Sequence, residues 1–222
     1  MGLTSGALPE HWVWLSHLAY LLVLWAAVRR AAWRRLWEYR VLQHGMGLAV
    51  VSLMLLWQIR AGITPGLEIH FLGLTALTLA VGWSFAVIIA SLALMGTTIV
   101  GRESLEVFSF NALVACVVPI SVSYAMVIAE RLARFRIFFA YIFVCAFFGG
   151  ALAVVAAMGC MAWLLWFADV YSLSQITSDL LIYIPLIAFP EGVINGSVVT
   201  GLLVYLPQYL KTLDAERYGR FR

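Results

Sequence analysis

The sequence predicts an all-α integral membrane protein, and three observations carry that expectation. Of its 222 residues, 64% are hydrophobic and only 11% charged, against about 45–50% apolar and about 25% charged in soluble domains. The apolar residues come in long stretches such as Phe135 to Phe167, broken only by Arg136. Each such stretch is long enough to cross a hydrocarbon core of about 30 Å. These stretches are apolar all round rather than alternating in polarity, which argues against a transmembrane barrel. Helices are then the open-chain solution, because in lipid every backbone N–H and C=O must be satisfied internally.

Residues 1–222 read as a single transmembrane domain. An external tail, residues 1–10, leads into helices at about 11–30 and 40–60, followed by a Gly- and Pro-containing loop from Ala61 to Leu67. The start lacks the basic residues and small-residue cleavage site of a secretory signal, so the first helix is expected to stay as an anchor. The apolar run from His70 to Val100 is longer than one crossing needs and shorter than two full ones.

Charge resolves that run, because basic residues near helix ends mark the cytoplasmic face. Arg29, Arg30, Arg34, Arg35 and Arg40 follow the first helix, and Arg131, Arg134 and Arg136 follow a helix at about 108–129. Lys211, Arg217, Arg220 and Arg222 close the chain, so these groups take twelve of the fourteen Lys and Arg residues. With the N-terminus outside, the run 70–100 must begin and end outside. A hairpin of two short helices, about 70–81 and 84–100, turning near Val81, Gly82 and Trp83, meets that requirement. Helices at about 137–167 and 180–207 complete about seven segments, with an external loop from Asp169 to Asp179 and a cytoplasmic tail, 208–222. Glu10, Glu68, Glu103, Glu106, Asp169 and Asp179 all fall in the external segments. A mouth ringed by carboxylates draws cations.

Short half-helices at membrane depth are tolerated where they line a buried or wet site, and ionisable groups there default to functional roles. His70 follows Pro65, Gly66 and Glu68 and precedes Gly73, a composition suited to a re-entrant site. Neutral imidazole is a common ligand for Co, Ni, Cu and Zn. His11 stands at the outer start of the first helix. His17 and His44 read as hydrogen-bond donors to neighbouring helices. Glu191 lies inside the last helix, in Phe189-Pro190-Glu191-Gly192, and needs a partner, a proton or water. Cys116, Cys145 and Cys160 lie in apolar stretches without Cys-x-x-Cys spacing and read as small core residues. No Walker, zincin, Ser-His-Asp or Rossmann pattern is present, so hydrolysis of ATP or peptides by this chain alone is unsupported.

The chain opens Met1-Gly2-Leu3-Thr4-Ser5-Gly6-Ala7-Leu8-Pro9, carries His70 in the segment from Pro65 to Gly73, has Asn111 and Pro119 in one helix, and carries Glu191-Gly192 in its last. In the order and spacing of these short motifs, nearly the whole chain resembles the CbiM-type membrane subunits of energy-coupling-factor (ECF) transporters, the cobalt and nickel permease family. The start is similar to that family's opening Met-His-Ile-x-x-Gly-(Phe)-Leu, and the Pro65 to Gly73 segment to its Pro-rich loop leading into Gly-His-Leu-Leu-Gly. Asn111 and Pro119 match its Asn-containing helix, and Glu191-Gly192 its final-helix Glu-Gly/Ala motif.

The resemblance implies a tail inserted into the bundle from outside, with the terminal amine, the second-residue His and the loop His binding metal. His70 matches the loop ligand, whereas Gly2 stands where the family has His. Trimming of Met1 before this small residue would leave the mature amine on Gly2. The expected metal set is therefore Gly2, His70, His11 and Glu68, supported by Asn111 and Glu191.

The expected function is a substrate-capturing subunit of an ABC-type importer in a prokaryotic inner membrane, with a cobalt or nickel ion as cargo and no permanently bound cofactor. It is not expected to be an enzyme or to bind nucleic acid. Its expected partners are the lipid bilayer, a coupling transmembrane subunit and cytoplasmic ATPase subunits, docked on small-residue faces such as Ala86, Ala90 and Ala93. The alternatives are the same fold binding a small organic cofactor or vitamin, and an intramembrane enzyme using Glu191 and His70.

Overall fold

Stretches without charge close their backbone hydrogen bonds within themselves where they are long enough to form a helix. The computed structural model describes residues 2–3, 6, 8–64, 67–134 and 137–214. In chain order the elements are β1 (Gly2–Leu3), α1 (Glu10–Arg30), α2 (Trp33–Glu38), α3 (Arg40–Leu56), β2 (Arg60–Thr64) and β3 (Leu67–His70). There follow α4 (Leu74–Val81), α5 (Trp83–Ile99), α6 (Phe108–Ala133), α7 (Phe138–Phe167), α8 (Leu173–Asp179) and α9 (Ile184–Tyr205). The stretches of α1, α6, α7 and Leu173–Tyr205 are long and apolar enough to cross a membrane, while α3 and α5 are shorter apolar helices.

Burial is inverted relative to a water-soluble protein. Leu15, Leu18, Leu22 and Trp25 of α1 and Phe139 of α7 are exposed, whereas Thr75, Thr78, Ser123, Glu191 and Asn195 are buried. A contiguous apolar exterior around polar interior contacts is the arrangement that lipid solvation favours.

The chain from Glu68 to Glu103 doubles back. Glu68 precedes α4 and Glu103 follows α5, yet both pair with Arg60 at one end of the bundle. Between them α4 and α5 meet at Gly82, whose φ of 78° suits a residue without a side chain. That turn lies at the other end, where the amides of Lys211 and Thr212 donate to the carbonyls of Ala80 and Leu79 at 2.9 and 3.2 Å. A cavity of about 620 Å³ opens beside the turn, with Arg30, Arg131 and Lys211 among its lining residues.

The short helix α4 begins inside the bundle, and its first backbone donors are capped by another helix. Leu72 and Gly73 donate their N–H groups to the two Glu191 carboxylate oxygens at 2.8 and 2.7 Å. Ala76 donates to Asn195 Oδ1 at 2.8 Å, and Asn195 Nδ2 donates back to the Glu191 carboxylate at 2.8 Å. An acceptor from α9 thus does in trans what an N-cap side chain does locally. Glu191, left open by the sequence between partner, proton and water, has backbone partners.

Several boundaries and roles differ from expectation. The second helix ends at Leu56 rather than near 60, and the described part of the expected Ala61 to Leu67 loop belongs to β2 and β3. A short helix, α2, occupies the expected connection after the first helix. The Asp169 to Asp179 loop contains α8, whose Ser172 and Gln175 form a reciprocal capping box. The helix read from about 108 to 129 continues to Ala133. Ala86, Ala90 and Ala93 are fully buried and pack inside the molecule, so they offer no docking face. His17 bonds the Val13 carbonyl of its own helix rather than a neighbouring one. Cys116 and Cys145 are buried, as small core residues are. Met1, Pro65, Gly66, Arg136, Arg217, Arg220 and Arg222 lie outside the described residues.

Helices α7 and α9 approach closely at Gly192, where a Cβ would stand 2.8 Å from the Phe147 carbonyl oxygen. Gly192→Ala is expected to destabilise the protein by about 1–3 kcal/mol, the usual cost of overpacking. Gly201→Ala, which meets nothing within 4 Å, serves as the neutral comparison in detergent melting experiments.

Candidate functional site

Three short strands form an antiparallel sheet in the order β1-β3-β2 at one end of the bundle. Gly2 pairs with Glu68 and Leu3 with Leu67, while Arg60 pairs with His70 and Gly62 with Glu68. Directly opposed residues share a face, as do residues two apart on one strand. Gly2, Arg60, Glu68 and His70 therefore stand on the same face of the sheet.

The tail strand is held by more than its two-residue pairing. Asn111, near the start of α6, accepts from Leu3 N at 2.9 Å and donates to Leu3 O at 3.1 Å. Its Nδ2 also donates to Glu103 Oε2 at 2.9 Å. Nearby, Gly6 N donates to Glu106 at 3.3 Å. A two-residue strand gains little by itself, so these side-chain contacts fix its position.

Glu103 occupies the room that a side chain at position 2 would need. A Cβ built on Gly2 falls 2.5 Å from Glu103 Oε2, 3.0 Å from its Oε1 and 3.1 Å from Asn111 Nδ2. The Glu103 carboxylate also accepts from Arg60 Nη1 at 2.6 Å, with the two side chains only 3% and 9% exposed. Arg60 Nη1 further reaches Glu68 at 3.1 Å and the Arg102 carbonyl at 3.3 Å, and Arg60 Nε donates to the Trp57 carbonyl at 2.6 Å. Arg60 Nη2, in contrast, is buried with no hydrogen-bond partner among the described residues. A buried donor left this way costs about 1–3 kcal/mol.

His70 is buried against the Trp57 ring, with ring centroids 5.4 Å apart. Its Nδ1 lies 2.9 Å from the Phe71 carbonyl, and when Nδ1 carries the proton it donates there and leaves Nε2 as the electron-pair donor. Trp57 is in turn fixed by its Nε1–H, which donates to the Leu72 carbonyl at 3.1 Å. Burial holds the His70 imidazole below its ordinary value, opposed by the Phe71 hydrogen bond and the Glu103 charge. A neutral ring is the form that can ligate a metal.

Of the expected ligand set, the structure brings Gly2, Glu68 and His70 to one sheet face, with Asn111 beneath the tail. His11 is not gathered with them: it is exposed on the first turn of α1 with its ring toward Trp12. Among the described residues no three His, Cys, Asp or Glu side chains form a group that could hold a metal ion. Glu191 acts one step away, on the backbone that follows His70. The residues the sequence reading missed are Arg60, Glu103 and Trp57. Glu103 was legible only as one of several external carboxylates, and Arg60 only as a basic residue outside the inner clusters.

Helices with an apolar exterior, folded around a polar cluster capped by a pinned tail, define a multi-pass membrane protein. Residues 3–209 match the CbiM family, described as the cobalt uptake substrate-specific transmembrane region, and the chain belongs to that family. This places it with membrane components of metal uptake and not with enzymes. No curated protein matches the chain. Two solved structures share its fold. One is described as a truncated transition metal transporter (19% identity, TM-score 0.76, 92% of this chain and 99% of that one covered). The other is described as a transition metal transporter (18% identity, TM-score 0.74, 92% and 93% covered).

Two outcomes are expected at this site. Asn111→Ala, which strips both polar partners from Leu3, should accelerate exchange of the Leu3 amide at least tenfold and destabilise the fold by about 1–3 kcal/mol, as read by hydrogen–deuterium exchange and melting. The second concerns acid. Because the folded His70 takes its proton at lower pH than the ordinary 6.5, the unfolded chain binds more protons between those two values. Stability should therefore fall as pH drops below 6.5 through that window, and His70→Gln should flatten that part of the melting curve.

Proposed function

We propose that this chain is the substrate-capturing membrane subunit of an energy-coupling-factor importer for a transition metal, cobalt or nickel foremost. It takes its cargo at the end that carries the sheet. The observation that carries this reading is the N-terminal strand paired onto β3 and pinned by Asn111, which sets Gly2 on the face that bears His70. Removal of Met1 would place the terminal amine there as a second nitrogen ligand beside the imidazole, with the Glu68 carboxylate opposite Gly2 in register. Transition metals of this class favour nitrogen donors in fixed geometry.

Sidedness follows from charge. Arg30, Arg131 and Lys211 gather around the cavity at the Gly82 end, which the positive-inside rule assigns to the cytoplasm. The sheet end is then external, with the N-terminus outside, the C-terminus inside and seven helical segments between them in a prokaryotic inner membrane. Lacking a nucleotide-binding motif, the chain depends on a coupling membrane subunit and cytoplasmic ATPases for energy.

Protein purified with its native N-terminus from cobalt- or nickel-supplemented cells should carry one of these metals by elemental analysis. His70→Ala, or a short peptide extension ahead of Gly2, should lower that content at least tenfold. Equal metal content in all three would refute the assignment.

A further inference from the structure

A bare divalent cation finds little to attract it on this sheet face. Arg60 and Glu103, in contact at 2.6 Å and both more than nine-tenths buried, cancel each other's charge, and Glu68 is 43% exposed. Among the described residues the ligating side chains do not reach three. Meanwhile the guanidinium is used unevenly. Its Nη1 serves Glu68, Glu103 and the Arg102 carbonyl, whereas Nη2 is buried with no acceptor. A side chain 9% exposed with an unused charged donor calls for an oxygen acceptor from outside the chain. Arg60 and His70 are cross-strand partners, so that acceptor would lie beside the imidazole.

We propose that the cargo is captured as a chelate: a divalent transition metal already held by a small carboxylate-bearing ligand. One carboxylate oxygen accepts from Arg60 Nη2, and His70, through the nitrogen not engaged by Phe71, takes an open coordination position on the metal. The chelator supplies donors that the chain lacks and brings negative charge of its own, which lets a metal sit next to a fixed guanidinium. This rests on the metal-uptake reading and adds to it the chemical form of the substrate and a specificity role for Arg60.

The test measures nickel retained by purified protein with its native N-terminus in equilibrium dialysis. The probes are nickel chloride, a 1:1 nickel–L-histidine complex, and a 1:1 nickel–histamine complex, which keeps the imidazole and amine and lacks the carboxylate. The wild-type protein should bind nickel–histidine at least tenfold more tightly than either of the others. Arg60→Lys, which keeps the charge and loses the second arm, should abolish that gap. If this variant fails to fold, the double variant Arg60→Gln with Glu103→Gln, which leaves no unpaired charge between them, should abolish it as well. Nickel chloride or nickel–histamine bound as tightly as nickel–histidine overturns the proposal while leaving metal uptake standing, and so does a gap that survives in a folded variant. No retention of nickel in any form overturns both.

Discussion

The structure depends on one carboxylate. Helix α4 starts within the bundle, where water cannot serve its first backbone donors, and an unmet N–H in such surroundings is costly. Glu191 accepts from Leu72 and Gly73, and Asn195 accepts from Ala76. That contact allows a half-helix to begin at depth. It also fixes Leu72, whose carbonyl orients Trp57, and so sets the wall against which His70 packs. β3 then arrives at a defined height, and β1 and β2 pair onto it. A pair of side chains on the last helix therefore positions a sheet formed by the first seventy residues.

At the sheet itself, a missing side chain is used as space. With Gly at position 2, the Glu103 carboxylate has room to stand against the tail backbone, where it pairs with Arg60. A buried ion pair of this kind is a weak source of stability, because desolvation offsets most of the attraction. What it leaves beside His70 is a neutral pair whose guanidinium has one satisfied and, among the described residues, one unsatisfied donor arm. On the chelate proposal, that unsatisfied arm is what sets the form of the cargo.

Much of the fold could be read from the chain because lipid imposes simple rules. The long uncharged stretches, the arginines after them and the glycine at position 82 specify helices and a reversal there, whereas the short helix expected from about 70 begins only at Leu74, because His70 is taken up by β3. His70, Asn111 and Glu191 stood out as polar residues in apolar company. The sheet could not be read. A two-residue strand has no periodicity, and β2 and β3 lie in a segment rich in turn-forming residues. His11 has the right chemistry yet is exposed beside Trp12 on the first turn of α1, since its position depends on the rotation of α1 and not on its spacing from the terminus. Ala86, Ala90 and Ala93 suggested a docking face and are core, because small residues serve close packing equally well inside a bundle.

By itself the sequence determined that this is a helical membrane protein, where its long apolar segments lie, and which ionisable groups must find partners in lipid. Those follow from composition and from local backbone bonding, which depend on neighbours along the chain. Only the tertiary structure decided which partners those groups take: Glu191 on the backbone before α4, Asn111 on the tail, Arg60 and Glu103 on each other. Those choices join residues 43 to 119 positions apart. Such pairings are set by how helices pack against one another, and no local pattern encodes that.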